Sequence, residues 1–594
     1  MPVSPSDAVQ TILEVEILCD GTAATDIVPV AMRIGAAVNG IPTASLEMID
    51  GDAGGHLFSV SNGTLFVPGA LVEIKAGYGG TRTSLFKGIV VRHGVKMNGD
   101  NAVLLTVECR HKALQLTVAP KSENHKDKTD SDIIKSLIGA AGLTATVDAT
   151  SIQHETLVQY RCTDWDFLLT RAEANGLVVT CVEDGVKVAA PDLSTNPSLK
   201  LTCGLDIHEF EARLESQTQL AGANGYSWDL AKQDVVEKKV TPSTTTGQGN
   251  LDSATLAKVL GSAKPLLGSS GFASDAEADG WAKARLVKAG LSRVRGRVRF
   301  CGSALAVPGK LVELDGVGAR FNGKAYVGAV RHEIRQGEWT TEVDLGLSSE
   351  WFAAAHEISS PRASALTAAV GGLQVGKVLK IDTDPLAQYR VQVKLPLQKA
   401  STEGVWARMS HPVASNGFGC VFLPEVDDEV VVGFFDEDPS CPVILGFLYS
   451  SKQKPALEPA ADNNLKSFTT RSKISIAFDD DKKILTVETP GKNQVVLSDE
   501  GKSILLKDQN GNQVKLSESG ILLDSPKDIT IKAAGKIALQ GTGNVELDSK
   551  ADLKGKGMNV NLEAQVGMVA KGAASAEFSA SGQTTVKGAM VMIN

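Results

Sequence analysis

The sequence predicts a mainly β protein: two N-terminal β-barrels with a helical insertion, a small OB-fold barrel, and a C-terminal β-prism intertwined from three chains. Three observations lead there. Glycine reaches 58 of 594 residues while aromatics stay at 5%, the balance of a strand-and-turn architecture. Apolar residues alternate with period two along most of the chain and take the helical period in only a few short segments. From about residue 467 they fall in doublets, each with one residue between its members, at a nearly fixed step. A chain of this length exceeds one core and is bounded at about three to five domains.

The first barrel takes residues 1–125. LEVEI, LFVPGALVEIKAGYG, LFKGIVVRHGV and AVLLTVECRHKAL read as strands parted by Gly, Asn and Asp turns. Residues 126–180 form a helical segment. Ile133, Ile134, Leu137, Ile138 and Ala141 share one helical face, with Asp130 or Ser131 as cap and Gly142 as stop. A second helix runs from Asp164 to Asn175, capped by Thr163, with Gly176 past its end. The second barrel takes residues 181–360. A polar loop at 241–253 interrupts it, and so does a helix from Ser274 to Gly290 that opens on a Ser274/Glu277 capping box. Asn322-Gly323 reads as a two-residue hairpin turn. Residues 370–450 contain the runs YRVQVKLPL, GVWARMS, GCVFLPE, EVVVGFFDED and CPVILGFLY, the strand count of an OB-fold barrel. Residues 451–466 are a Pro- and Ala-rich linker.

Residues 467–594 carry the repeat. Upstream doublets such as Leu485/Val487 and Ile504/Leu506 step by about ten residues, and from Ile521/Leu523 the step tightens to eight. Ile529/Ile531, Ile537/Leu539, Val545/Leu547 and Leu553 are the predicted prism core. Eight residues make one short strand and a turn. Ordering them costs about 1–2 kcal/mol each, whereas burying two apolar side chains returns about 3–6 kcal/mol. The strand therefore needs neighbours that pair its edges and share its core. A single-chain β-helix uses about 20 or more residues per turn, and eight is close to a third of that. Three chains, each supplying one side, is the simplest solution. About fourteen repeats stacked at about 4.8 Å give a rod of roughly 60–70 Å. Phe578 is the only aromatic after Phe478, and 16 basic residues face 15 acidic ones from residue 467.

A net charge of −9 without a basic run disfavours a nucleic-acid partner. The eight cysteines are scattered without a CxxC pair, as expected of small hydrophobes in a reducing compartment. The N-terminus lacks the pattern of a signal peptide, and no run of 18 apolar residues occurs, so synthesis in the cytoplasm is expected.

The order of these parts resembles the spike proteins of contractile injection machines: VgrG of type VI secretion, and the hub-plus-spike proteins of contractile phages and extracellular phage-tail-like particles. Three patches carry the likeness. TDWDFLLTRAEANGL (163–177) is similar to the family's hub helix, with Trp165, Asp166, Phe167 and Gly176 in place. DEVVVGFFDEDPSCPVILGFLY (428–449) is similar to the end of the OB-like barrel, with Asp438, Pro439, Pro442 and Gly446. VKGAMVMIN resembles the closing strand of such spikes.

The resemblance implies a homotrimer whose six tube-like barrels adapt a sixfold inner tube to a threefold needle, with the OB barrel as collar. The implied partners are the inner-tube protein, baseplate proteins, a PAAR-repeat tip protein, effector cargo, and transiently a target membrane. The implied setting is an injection particle assembled in a bacterial cytoplasm and released or driven toward a target cell. The residues between Tyr449 and the first prism strands leave no room for the lysozyme domain of some phage relatives. No His follows His411 and no Cys follows Cys441, so the His-x-His iron tip of some phage spikes cannot form. A separate tip protein docking at Met590, Met592, Ile593 and Asn594 is expected instead. The chain stops at Asn594, so any toxic domain is expected elsewhere.

No motif for chemistry competes with this reading, and no catalytic, cofactor or metal residue is assigned. GYGGTRTSLFKG lacks the Lys-Ser/Thr ending of a phosphate loop. His332-Glu333 and His356-Glu357 are isolated pairs. Asp50-Gly51-Asp52 lacks the downstream Glu of a calcium loop. Asp508-Gln509-Asn510-Gly511 reads as a turn between prism strands. Asp436, Glu437 and Asp438 contain adjacent carboxylates of the kind glycosidases use, but Pro439 marks them as the last barrel turn. A glycan-binding or glycan-degrading tail fibre would need an aromatic face that residues 479–594 lack.

Overall fold

The computed structural model describes residues 2–7, 11–25, 27, 29–51, 55–56, 58–97, 103–229, 233–241, 247–262, 264–268, 274–396 and 403–593. They form two compact units, Met1–Phe447 and Leu448–Asn594.

In the first unit the two predicted barrels share one sheet. Its 13 strands run edge to edge through Ile207–Leu214, Val294–Cys301, Glu338–Leu345, Gly323–Arg335, Pro29–Ala37, Thr43–Ile49, Val103–Arg110, Thr81–Met97, Leu71–Tyr78, Leu13–Cys19 and Thr22–Ala23, with Leu199–Thr202 and Leu311–Asp315 branching off. The halves join where Gly323–Arg335 pairs antiparallel with Pro29–Ala37, Arg331 opposite Gly35. Each half keeps its own core, Leu46, Met48, Phe66, Ile74 and Leu105 in the first and Val298, Phe300, Val312 and Val343 in the second. Strict alternation, as in Val103–Arg110 where every second residue is buried, sets the inward face of each strand.

The segment at 126–180 is more mixed than a helical reading predicts. Helix α1 (Asp130–Ala140) begins one residue after its cap Thr129, whose hydroxyl accepts from the Asp132 N–H. Asp130 is therefore the first helical residue rather than the cap. Helix α2 (Asp164–Ala174) is capped by Thr163 as predicted. Around them lie a long ribbon, Lys121–Thr129 with Gln153–Cys162, and a three-stranded sheet of Val178–Val182, Gly185–Ala189 and Thr144–Val147. Helix α3 (Ser253–Ala257) begins at the last residue of the loop predicted at 241–253, whose residues 242–246 lie outside the described residues. Helix α4 (Asp275–Leu291) has its capping box formed on both sides. Helix α5 (Phe352–Ala355) follows the sheet.

Asn322-Gly323 is not a two-residue turn. Leu314 pairs with Gly323, so the loop between the strands spans 316–322 and Gly323 opens the next strand. Glycine is required there because Gly247 O lies 2.3 Å from where a Cβ would stand, and φ is +107°. The backbone approach of the 247–249 segment, invisible in local sequence, selects the residue.

The OB barrel closes through Gln374–Lys380, Val391–Lys394, Val405–Met409, Pro442–Leu448 and Glu429–Phe434 around Val378, Val391, Val393, Val430, Val432 and Ile444. GCVFLPE is not one of its strands. Gln374–Lys380 takes that place, and the segment lies in the connection 410–428 beyond a small hairpin of Ala414–Ser415 and Phe418–Gly419.

In the second unit, seven five-residue strands from Leu465–Thr469 to Gly520–Asp524 form one antiparallel meander. The ten-residue step is a strand plus a turn long enough for the chain to reverse and pair with itself. Strand neighbours from other chains are thus required by the eight-residue part, not by residues 465–524. Residues 525–593 form no strand within the chain.

Candidate functional site

Two surfaces gather the predicted residues. The first is the face of the C-terminal sheet. Cross-strand register places the doublets in two ladders on one side. Phe468, Ile476, Val487, Val495, Leu506, Val514 and Leu523 are successive partners, and so are Phe478, Leu485, Leu497, Ile504, Leu516 and Ile521. The opposite face has a mixed central column, Ala477, Thr486, Val496, Leu505, Lys515 and Leu522, between mostly polar strand ends. The ladder side is the more open: Leu506 is 45% exposed and Leu523 56%. A groove of about 580 Å³ runs along it, lined by Val487, Val495, Leu506, Val514 and Leu523 beside turn residues Asp508 and Asn512. The Asp508 turn is structural, its carboxylate accepting from the N–H of Asn510 and Asn512 at 2.9 Å. Further along, Ile529, Ile531, Ile537, Leu539, Val545, Leu547 and Leu553 are all at least half exposed, and Met590, Met592 and Ile593 more so. Asn594 lies outside the described residues.

The second surface is the joint between the 13-stranded sheet, the helices and the OB barrel. Trp165 and Phe167 are buried, Trp165 among Ile134, Leu168 and Val179, so it fills a core instead of offering a sugar platform. Asp166 takes a hydrogen bond from the Thr163 hydroxyl at 2.6 Å, closing the cap of α2. Gly176, at φ +70°, sits against Ala284 of α4, which a Cβ would meet at 3.3 Å.

The rest of that motif was not singled out by sequence reasoning, yet it carries the strongest polar contacts. The Arg171 guanidinium donates to Asp130 at 2.6 and 2.9 Å, Asn175 donates at 2.8 Å, and His154 lies at 3.1 Å. Burial raises the Asp130 pKa, but these partners outweigh it and hold the carboxyl below its usual range. Glu173 pairs with Lys288 of α4 and accepts from the Phe352 N–H at 2.6 Å, which pins the start of α5. The signal available in sequence was a run of Arg, Glu and Asn on a helix that is otherwise buried.

On the barrel side, Asp436 and Glu437 hold left-handed φ values of 53° and 58°. Asp436 accepts from Ser364 at 3.0 Å and faces Arg161 at 3.5 Å. Glu437 pairs with Arg362, and its carbonyl accepts from the Val370 N–H. Asp438 accepts from the Ser440 N–H at 2.8 Å. Pro439 is half-buried, Pro442 is buried at the start of the last strand, and Gly446 lies within it. The three carboxylates are thus fasteners of a turn.

Other candidates are also structural. Asp50 is buried and accepts from the N–H groups of Val60 and Ser61; Asp52 lies outside the described residues. His332 is buried between Thr341 and Trp339, and burial lowers its pKa to about 4. His356 stacks on Phe352. Among the cysteines only Cys19 and Cys109 are buried, while Cys203 and Cys441 are exposed. Burial pushes the Cys109 thiol up to about 12. No group of three or more metal-ligating side chains forms among the described residues.

Comparison with known proteins adds three family matches. Residues 9–336, more than half of the chain, match the Alg8 N-terminal domain. Residues 374–449 match the type VI secretion system/phage-baseplate injector OB domain. Residues 483–594 match the phage baseplate V C-terminal trimerisation domain. The type VI secretion system spike protein VgrG1a of Pseudomonas aeruginosa is 28% identical over 95 residues, which are 16% of this chain and 15% of that protein. The chain therefore matches well under a quarter of the length of that curated relative. A 43 kDa tail protein of prophage MuSo2 from Shewanella oneidensis is similar with 11% identity and a TM-score of 0.44, over 57% of this chain and 98% of that one. A tail protein from Neisseria meningitidis MC58 is similar with 15% identity and a TM-score of 0.43, over 58% and 99%.

Proposed function

The chain belongs to the VgrG and phage-baseplate spike family, with an Alg8 N-terminal domain ahead of its injector OB and trimerisation domains, and from that premise we propose that it is the homotrimeric hub and spike of a contractile injection system. The observation that carries this reading is the pair of apolar ladders along one face of the C-terminal sheet. A sheet with one open apolar face gains by covering it, and two further copies offer complementary faces around a common axis. Three such sheets make the base of a prism. Beyond residue 525 each chain supplies one strand per eight-residue step, paired with the other two chains, and the rod narrows.

In this reading the protein works mechanically. Six hub lobes seat a sixfold inner tube on a threefold needle. The collar transmits load through the Asp436 and Glu437 turn, and the needle punctures a target envelope. Met590, Met592 and Ile593 form an apolar end for a PAAR-type tip protein. The protein is made in a bacterial cytoplasm and leaves as part of the particle. A second reading, a type VI VgrG that delivers bound effectors, is favoured by the VgrG1a match. Electron microscopy of assembled particles labelled at the C-terminus tests the proposal. Label at the distal end of the tube is expected. Label along the tube or at the sheath end would overturn it.

A further inference from the structure

The collar barrel has two ends with different chemistry. Gln374–Lys380 runs antiparallel to Val391–Lys394, which runs antiparallel to Val405–Met409, and Pro442–Leu448 runs parallel to Val405–Met409. The loop 381–390, the connection 410–428 and the exit at Leu448 therefore share one end, and the turn 435–441 lies at the other. That other end carries Asp436 and Glu437, tied to Arg161, Ser364 and Arg362. The exit end is apolar. Tyr389 is 94% exposed and Leu386 62%. The 410–428 connection exposes Phe418 by 70% and Val421 by 76%, with Leu423 beside them.

The Tyr389 loop is rigid. Asp384 accepts from the N–H groups of Leu386, Gln388 and Arg390 and from the Arg390 guanidinium at 2.7 Å. Thr383, Ala387 and Tyr389 hold left-handed φ values of 56°, 52° and 58°, a conformation that persists only where surrounding contacts fix it. A large aromatic held out on a fixed loop forms a low-entropy anchor.

We propose that in the trimer the Leu386/Tyr389 loop of each protomer docks on the Phe418–Leu423 segment of the next, closing a ring around the exit end of the collar. Two features select a second copy as the occupant. Threefold symmetry requires a heterologous contact, in which one patch meets a different patch on the neighbour, and this barrel end carries one rigid knob and one separate apolar stretch. The chain also runs on from this end into the family's trimerisation domain, so three copies of the end are tethered together at a high effective concentration. The inference rests on the trimeric reading of the previous section.

The test uses the full chain with the photo-crosslinker p-benzoylphenylalanine in place of Tyr389, irradiated after the native mass has been measured. Bands at two and three times the chain mass, with the crosslinked peptide mapping to 413–426, are expected. Adding Val421→Asp should reduce that product at least tenfold. Crosslinks within one chain, to residues beyond 465, to another protein, or none at all would overturn the inference while leaving a measured trimer standing. A native mass of one chain would instead overturn the trimeric reading beneath it.

Discussion

Leu506 and Leu505 are adjacent on one strand and point to opposite faces of the C-terminal sheet. Replacing each by aspartate separates a shared core from an isolated sheet. Leu506 is 45% exposed in the single chain. Full burial of a leucine is worth about 1.5–3 kcal/mol, so covering the remainder contributes about 1 kcal/mol per chain. A buried aspartate must also be held neutral at pH 7 against an ordinary pKa of about 3.9, a cost of about 4 kcal/mol. The sum is about 5 kcal/mol per chain, or about 15 kcal/mol for three copies around one axis. Leu505 lies on the opposite face, outside the proposed shared core, where the loss is limited to its own partial burial, about 1 kcal/mol. The assay is heat resistance of the trimer in detergent gels. Leu506→Asp should abolish the resistant band, and Leu505→Asp should leave it within a few degrees. In an isolated sheet the order would be the reverse, because Leu505 is the less exposed of the pair. Equal effects, or a larger effect at Leu505, would refute the shared core.

Three further predictions concern the hub. Arg171→Ala leaves the buried Asp130 without its main partner and should cost about 3–5 kcal/mol, read as a lower calorimetric transition of the first unit. Gly176→Ala places a Cβ at φ +70° against Ala284 and should cost about 1–2 kcal/mol, read in the same transition. The folded pKa of His332, about 4, lies below its unfolded value of about 6.5. Its contribution is therefore present above pH 6.5 and lost as pH falls toward 4, by about 3 kcal/mol. His332→Gln should flatten urea stability of the hub over that window.

The parts of this molecule governed by local rules were legible in sequence. Thr163 and the Ser274/Glu277 box cap their helices as predicted because a cap is a contact over three residues. Apolar doublets marked the strands from Leu465 to Asp524 because side-chain alternation has period two, whereas the doublets beyond them form no strand within the chain. What escaped depends on distant chain. The pairing of Arg331 with Gly35 that unites the two hub lobes joins residues almost 300 positions apart. Gly323 is set by the backbone of Gly247, and GCVFLPE has strand composition but lies outside the barrel. The change from a ten- to an eight-residue step was visible, but its meaning, pairing within the chain up to Asp524 and not beyond, needed the register. At the joint, Trp165, Phe167 and Gly176 were legible as a motif, whereas the roles of Arg171, Glu173 and Asn175 appear only once α1, α4 and α5 are packed against α2.

The measurement that bears most directly on the shared rod is the native mass of the intact 62.4 kDa chain. A mass that is a multiple of three chains is predicted. A stable monomer whose residues 525–593 are protected from hydrogen exchange would contradict it, because those residues would then be ordered without the strands of two other chains.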